Sequence, residues 1–129
     1  MNELIQAEIK KIFNGRFSTS ESARANYARG EDTYDPILSQ AVVFPETNEE
    51  VSKILKLCNE NKIPVVPFGT GTSLGGNVVG NDKGITISLE KMNKVLSVHV
   101  EDFDCRVQAC VTREQLNDYL REDGVFFPI

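Results

Sequence analysis

Residues 63–77, with the sequence IPVVPFGTGTSLGGN, join a short apolar run to a glycine-rich segment. The run at residues 63–67 has the length and composition of a buried β-strand. Four of the eleven residues in Pro67–Asn77 are glycine. Glycine accepts positive φ and allows close approach to the backbone, so successive N–H groups can converge on an anion. With the hydroxyls of Thr70, Thr72 and Ser73 as further donors, the stretch predicts a strand followed by a loop for a diphosphate.

Two widespread phosphate-binding motifs do not fit the spacing of this loop. A dinucleotide fingerprint of the Gly-x-Gly-x-x-Gly type, counted from Gly69, requires a third glycine where the chain has Leu74, and no helical pattern follows. A P-loop requires a Gly-Lys-Ser/Thr ending, yet no lysine occurs between Lys62 and Lys83. A tight glycine-rich turn that binds nothing stays open as the simplest alternative.

A strand and a helix are predicted immediately before the loop. Residues Ala41–Phe44 form a short apolar run closed by Pro45, and Thr47–Glu50 has the Ser/Thr-x-x-Glu spacing of a capping box. Together with the strand at 63–67, the pattern predicts a β-α-β unit with parallel strands and a right-handed crossover. The helix is predicted to bury Val51, Ile54, Leu55 and Cys58.

The remaining elements lie on either side of this unit. Apolar residues at helical spacing predict a first helix that ends at Asn14-Gly15, whereas residues 18–39 are polar and indicate an ordered loop or a linker. Three further strands are predicted at 85–89, 95–100 and 105–111. The pattern therefore predicts a fold of the α+β or α/β class, and we adopt α+β as the prediction. The first helix is defined by Leu4, Ile5, Ile9, Ile12 and Phe13.

A second capping-box spacing, Thr112–Gln115, opens a last helix that is predicted to end at Gly124. Its predicted buried residues are Leu116, Tyr119 and Leu120. The chain stops in the apolar segment Val125–Ile129, which looks like an interrupted element. We therefore expect a truncated domain.

Size and charge narrow the classes of function. The 129 residues suffice for one compact domain, and a net charge of −5 with no dense basic run argues against a nucleic-acid partner. No apolar run approaches the roughly 20 residues needed for a membrane span, and no secretion signal is present. We expect a cytoplasmic protein, with membrane-peripheral or organellar placement left open.

The sequence gives little support for a metal site or for disulfide bonds. The odd number of cysteines predicts reduced side chains that act as small hydrophobes, and Cys105 and Cys110 lack Cys-x-x-Cys spacing. The acidic cluster at 101–104 is interpreted as a solvent-facing turn, and no metal ligand is assigned. Asp32 and Asp35 are interpreted as a solvated loop without chemistry. The third cysteine is Cys58.

The residues from Val65 to Leu74, with Gly76, resemble the pyrophosphate loop of FAD-linked oxidases of the vanillyl-alcohol oxidase and p-cresol methylhydroxylase (PCMH) type. Within that family the loop is most similar to D-lactate dehydrogenase and to the FAD subunit of glycolate oxidase. The resemblance extends to Gln40–Pro45, Glu49–Val51, His99–Asp102 and Phe126–Pro128. It covers Tyr27 to the end, which implies an N-terminal helix with its connecting residues at 1–26 and the first α/β subdomain of a PCMH-type FAD-binding domain at 27–129.

The resemblance also implies roles for the loop. Backbone amides around Gly69, Thr70, Gly71, Thr72 and Ser73 would hold the FAD pyrophosphate. Gly75, Gly76 and Asn77 would lie beside the flavin or its ribityl chain, and Pro67 and Phe68 would approach the cofactor from the strand. Close D-lactate dehydrogenase relatives often carry Glu and His at the positions of Gly75 and Asn77, so lactate specificity is in doubt. The loop contains no histidine, so FAD is expected to be noncovalent.

In this family a hydride equivalent passes from the α-carbon of a D-2-hydroxy acid to the flavin, and the electrons leave to a separate acceptor. The resemblance therefore implies part of a flavin-dependent D-lactate or glycolate dehydrogenase, with weak or absent FAD binding by this chain alone. No catalytic residue is assigned, because the resemblance implies that the substrate-binding and catalytic groups belong to a later cap domain and the closing segments of the FAD domain. His99 also shows no sequence neighbour that would form a dyad with it. The alternatives are a noncatalytic nucleotide- or protein-binding module and an FAD oxidoreductase with another substrate.

Overall fold

The computed structural model describes residues 1–128 and divides into two compact units, Met1–Lys91 and Met92–Ile129. The first unit has helices on a four-stranded sheet, and the second has a β-hairpin and a helix. This mixture confirms the predicted α+β class. Within residues 1–128, no helix combines the length and apolar character that a membrane span requires.

The first unit opens with helix α1, Glu3–Phe13, whose Asn2 side chain accepts a hydrogen bond from the Leu4 N–H at 2.7 Å. Ile9 and Phe13 on this helix are fully buried, as predicted. The elements that follow are β1 (Phe17–Ser18), α2 (Glu21–Asn26), β2 (Ala41–Val43), α3 (Asn48–Glu60), β3 (Val65–Phe68) and β4 (Ile85–Ser88).

The sheet has the strand order β1-β2-β4-β3. Strands β2, β4 and β3 are parallel, with Ile85 paired to both Ala41 and Val65, and β1 runs antiparallel to β2. The predicted parallel β2-α3-β3 unit is therefore present, with β4 between its strands. The carboxyl ends of three parallel strands consequently share one edge, where ligands bind in open α/β sheets.

Helix α3 begins as predicted, because Thr47 Oγ1 accepts a hydrogen bond from the Glu50 N–H at 3.2 Å. The Glu50 carboxylate interacts with the Thr47 backbone, as a capping box requires, accepts a hydrogen bond from the Glu46 N–H at 2.8 Å, and binds Arg16. The spacing predicts a buried Leu55, but this residue is exposed, because it lies on the face of α3 turned away from the core. The core is formed by Ile9, Phe13, Ala41, Val43, Ile54, Cys58, Ile85 and Ile87.

Residues 18–39 are more ordered than a linker. They include the end of β1 and helix α2, whose Ser20 side chain accepts from the Ala23 N–H at 3.3 Å. The periodicity of the sequence does not reveal α2, because none of its residues is buried and it has no apolar face.

The second unit contains the antiparallel hairpin of β5 (Val95–His99) and β6 (Asp104–Val107), followed by α4 (Arg113–Leu120). Thr112 caps α4 as predicted, accepting from the Gln115 N–H at 3.2 Å. Strand β6 is shorter than the predicted 105–111, because the chain turns after Val107. Tyr119 is exposed where the sequence predicts burial, whereas Leu116 and Leu120 are buried. A short 3-10 turn, Arg121–Asp123, separates α4 from Gly124.

Candidate functional site

The glycine-rich loop starts where β3 ends, at the carboxyl edge of the parallel sheet. Phe68, the last residue of β3, is buried, and Pro67 before it is exposed. The loop that follows is mostly exposed and carries no charged side chain from Gly69 to Asn77. This is the edge at which an open parallel sheet offers room for a ligand.

The loop presents a run of backbone donors. Among residues 1–128, no backbone N–H from Gly69 to Leu74 donates a hydrogen bond to the chain. Exposed amides of this kind can be satisfied by an anion as well as by water, and successive amides in a glycine-rich turn suit phosphate oxygens. The residues present are therefore compatible with a bound diphosphate.

Hydroxyl groups stiffen the two halves of the loop. Thr70 Oγ1 and Thr72 Oγ1 lie 3.2 Å apart, within hydrogen-bond distance. Ser73 Oγ donates to Asn77 Oδ1 and accepts from the Gly75 N–H at 3.3 Å. The Asn77 side chain is thus engaged inside the loop, which gives it a structural contact in addition to any contact with a ligand.

Two loop glycines have left-handed backbones packed against aromatic rings. Gly71 has φ of +74°, and a Cβ there would lie 2.5 Å from Phe68 Cζ. Gly76 also has φ of +74°, and its Cβ would lie 2.6 Å from Tyr34 Cδ2. Both positions therefore require glycine for conformation and for space.

The segment at residues 27–39, here called the lead-in segment, packs against the glycine-rich loop and forms hydrogen bonds with it. The Glu31 N–H donates to the Ser73 carbonyl at 3.0 Å, and the Gly80 N–H donates to the Ala28 carbonyl at 3.1 Å. A Cβ on Gly30 would lie 2.5 Å from the Ser73 carbonyl oxygen. Sequence reasoning missed this support; its one local signal was Gly30 within a polar segment.

Tyr27 covers the same edge of the sheet. Its ring makes edge-to-face contacts with Phe44 and Phe68, at centroid distances of 5.4 and 5.1 Å. Its hydroxyl donates to Glu90, 3.0 Å from each carboxylate oxygen. Burial, reinforced by this hydrogen bond, raises the pKa of Tyr27 to about 12, so the phenol is neutral at physiological pH.

A cavity of about 390 Å³ adjoins the second half of the loop. Its lining is mainly apolar and comes from the lead-in segment and the loop. The lining residues are Tyr34, Asp35, Ile37, Gly75, Gly76 and Val79. Asp32 lies near this region with Oδ1 accepting from the Tyr34 N–H at 3.0 Å and with a buried Oδ2 that has no partner among the described residues. Asp32 is therefore half-buried, where the sequence predicts a solvated side chain.

His99 has a partner that the sequence did not reveal. Its Nδ1 lies 2.6 Å from Asp104 Oδ1 across the β5–β6 hairpin, and both side chains are exposed. The pair requires the hairpin register, which places residues 99 and 104 opposite each other. In the described chain, no three His, Cys, Asp or Glu side chains gather closely enough to hold a metal ion.

Of the cysteines, Cys58 is buried and Cys105 and Cys110 are half-buried. Burial raises the pKa of the Cys58 thiol to about 11, which disfavours the thiolate. Cys58 therefore has the character of a core residue and not of a nucleophile.

Comparison with known proteins places these features in a family context. The family model described as an FAD binding domain matches residues 39–129. A probable mitochondrial D-lactate dehydrogenase of Danio rerio is 42% identical over 112 residues, covering 87% of this chain and 22% of the relative. A mitochondrial D-lactate dehydrogenase (cytochrome) of Arabidopsis thaliana is 38% identical, covering 98% and 23%. A glycolate oxidase subunit of Bacillus subtilis is 29% identical, covering 87% and 24%.

Solved structures share the fold at lower identity. An alkyldihydroxyacetonephosphate synthase superposes with a TM-score of 0.87 at 20% identity, over 98% of this chain and 26% of the other. A p-cresol methylhydroxylase with bound substrate gives 0.78 at 22% identity, over 96% and 26%. The chain thus spans about a quarter of the length of the proteins it matches.

Proposed function

This chain belongs to the FAD binding domain family, whose cofactor is FAD, and we propose that its glycine loop binds the FAD pyrophosphate in an oxidoreductase of D-2-hydroxy acids. Family membership confirms the resemblance to PCMH-type FAD-binding domains. The observation that carries the proposal is the run of backbone N–H groups from Gly69 to Leu74 that make no hydrogen bond within the described chain.

The proposed contacts follow the chemistry of each residue. The amides of Gly69–Ser73 donate to phosphate oxygens, while Gly75, Gly76 and Asn77 border the ribityl chain or a ring. Pro67 and Phe68 shape the entrance, because they end the strand from which the loop departs. No cationic side chain of the loop neutralises the diphosphate in this arrangement. Hydrogen bonds from backbone N–H groups that converge on its oxygens hold it instead.

The bound FAD would supply the chemistry, by accepting a hydride equivalent from the α-carbon of the substrate. This chain's residues would bind and orient it, and no side chain here is assigned to proton transfer. We propose noncovalent attachment, because the loop offers neither histidine nor cysteine. D-Lactate and glycolate are the proposed substrates, since relatives are named for them; a separate electron acceptor completes the reaction.

Two proposals concern the protein around the site. We propose residues 1–26 as an N-terminal helix with its connecting residues and 27–129 as the N-terminal part of the FAD-binding domain. We also propose a cytoplasmic protein, with an organellar site as the competing outcome because several relatives are named mitochondrial. Cell fractionation with an antibody against the product of the complete reading frame separates these outcomes.

The test compares two glycines with similar backbones. Gly71 (φ +74°) lies in the loop, and Gly15 (φ +94°) follows α1 with nothing within 4 Å of an added Cβ. Both alanine variants suffer the left-handed strain, but only Gly71→Ala also meets Phe68. We expect the complete product with Gly71→Ala to lose bound FAD, measured by flavin absorbance per protein, while Gly15→Ala retains it.

A folding control completes the experiment. Thermal unfolding of both variants without FAD must show that each is folded at the temperature of the flavin measurement, so that the loss of flavin can be assigned to the loop. Equal FAD content in Gly71→Ala and the unsubstituted protein would overturn the proposed binding site. Oxidation of D-lactate or glycolate with a dye acceptor then tests the substrate class.

A further inference from the structure

Phe68 lies between Tyr27 and the glycine-rich loop. Its ring makes an edge-to-face contact with the Tyr27 ring, at a centroid distance of 5.1 Å and an interplanar angle of 78°. On the side of the loop, a Cβ added to Gly71 would lie 2.5 Å from Phe68 Cζ and 3.0 Å from Cε1. Phe68 is only 6% exposed, so its ring supports Gly71 and offers little surface to a ligand.

Both rings are fixed to the sheet by contacts of their own. The Phe68 carbonyl accepts a hydrogen bond from the Leu89 N–H at 2.9 Å, which holds the end of β3 against the end of β4. The Tyr27 hydroxyl donates to Glu90, and the Tyr27 ring packs edge-to-face on Phe44. Tyr27 and Phe68, here called the aromatic support, therefore connect the sheet to the loop.

Gly71 needs support from outside the loop. It has φ of +74°, and a glycine has little steric preference for that conformation over others. In the part of the chain that the structure describes, no N–H group from Gly69 to Leu74 is held by a hydrogen bond. A donor is effective only when its N–H points at the acceptor, and ordering a mobile donor on binding costs affinity. A loop that is already held in shape therefore binds phosphate oxygens more tightly.

We propose that Tyr27 is a positioning residue for the diphosphate: it holds Phe68 against Gly71, and this contact directs the backbone N–H groups around Gly71 toward the phosphate oxygens. The inference rests on the proposed function, because it concerns the same loop. Tyr27 acts through Phe68 and not by contact with the cofactor. Because Tyr27 precedes residues 39–129, which the family model matches, the working site extends into the lead-in segment.

The test uses the product of the complete reading frame, stripped of flavin and titrated with FAD and with ADP, which share the diphosphate. Tyr27→Leu removes the ring and should weaken both ligands by the same factor, roughly tenfold, which is the cost of ordering one further backbone residue on binding. Tyr27→Phe keeps the ring and should retain both affinities, although it loses the hydrogen bond to Glu90.

Phe44→Leu is the matched control. It removes the other edge-to-face contact of Tyr27, whereas the atoms nearest to an added Gly71 Cβ all belong to Phe68. Thermal unfolding without ligand should show a lower midpoint for Phe44→Leu, as for Tyr27→Leu, but the affinities for FAD and ADP should stay unchanged. If Tyr27→Leu does not fold, Tyr27→Met takes its place, because it also removes the ring and keeps more of the side-chain volume.

A double-variant cycle tests the path through Phe68. Phe68→Leu removes the ring that contacts Gly71 and should weaken FAD by about the same factor as Tyr27→Leu. If Tyr27 acts through Phe68, the two substitutions together should weaken FAD no more than Phe68→Leu alone. Additive losses would show that Tyr27 acts by another route and would overturn the inference.

The remaining outcomes separate this inference from the proposed function. Unchanged affinities in Tyr27→Leu, or an equal loss in Tyr27→Phe or Phe44→Leu, would overturn the role of the Tyr27 ring. If Gly71→Ala nevertheless loses FAD, the loop stands as the pyrophosphate site. Retention of FAD by Gly71→Ala would instead remove the loop as that site and the inference with it.

Discussion

Arg16 and Glu50 form a two-point ion pair: Arg16 Nη1 lies 2.7 Å from Glu50 Oε2, and Nη2 lies 2.6 Å from Oε1. The guanidinium also donates to the Phe44 carbonyl at 2.8 Å. The pair therefore ties the end of β2 and the first turn of α3 to the segment that follows α1. Its side chains are only 22% and 19% exposed, so solvent screens it weakly.

We expect Glu50→Gln to lower the free energy of unfolding by roughly 1–3 kcal/mol, because it removes the two-point carboxylate partner of a partly buried guanidinium and leaves only the longer 3.8 Å contact to Glu46. The control is Glu8→Gln, which removes the exposed pair with Lys11 and should change stability by less than about 0.5 kcal/mol. Urea unfolding of both variants measures the difference. Equal midpoints would show that the buried pair contributes no more than the exposed one.

The same pair predicts a loss of stability in acid. The hydrogen bond from Arg16 lowers the pKa of Glu50 against an opposing effect of burial. A carboxyl with a lowered folded-state pKa contributes stability above its unfolded pKa and loses it as pH falls through the folded value. The difference in stability between the unsubstituted chain and Glu50→Gln should therefore shrink as pH falls below about 4.3. A constant difference down to low pH would contradict this account.

Tyr27 predicts an effect at the alkaline end. Its pKa of about 12 exceeds the ordinary value of 10.0, so its contribution to stability is present below pH 10 and is lost as pH rises through 12. Ultraviolet titration of the three tyrosines should show one phenol that ionises near pH 12, and Tyr27→Phe should abolish that step. Persistence of the late step in Tyr27→Phe would assign it to another residue.

Gly30 tests the support of the loop by the lead-in segment. An added Cβ would meet the Ser73 carbonyl oxygen at 2.5 Å and Val78 Cγ2 at 2.9 Å, so Gly30→Ala should destabilise the chain by about 1–3 kcal/mol. The control Gly69→Ala places its Cβ in open space and should be nearly neutral for stability. Thermal unfolding compares the two. A neutral Gly30→Ala would mean that the loop shifts readily to accommodate the methyl group.

Local signals are enough to predict much of the fold. The Thr47 cap and apolar spacing place helix α3, and short apolar runs place β2, β3 and β4. The glycine loop follows from spacing alone. These features depend on residues that are close in sequence, where propensity and capping act directly.

The missed features depend on contacts between distant residues. The position of β4 between β2 and β3 and the packing of Gly30 on Ser73 are set by tertiary structure. Spacing predicts Leu55 and Tyr119 in the core, but both side chains are exposed in the described structure. The His99–Asp104 pair requires the register of a hairpin, which periodicity does not provide.

The hydrogen bond from the Glu31 N–H to the Ser73 carbonyl also bears on the rate at which the chain folds. It joins segments on either side of β2, α3 and β3, so the loop reaches its final shape only after a large chain closure, which slows folding. During synthesis, residues 69–77 leave the ribosome after their partner and must wait for the sheet to assemble around both. A ligand captured by the finished loop binds only the folded chain and draws the population toward it. The yield of folded protein would therefore increase with the supply of cofactor and decrease when cofactor is scarce.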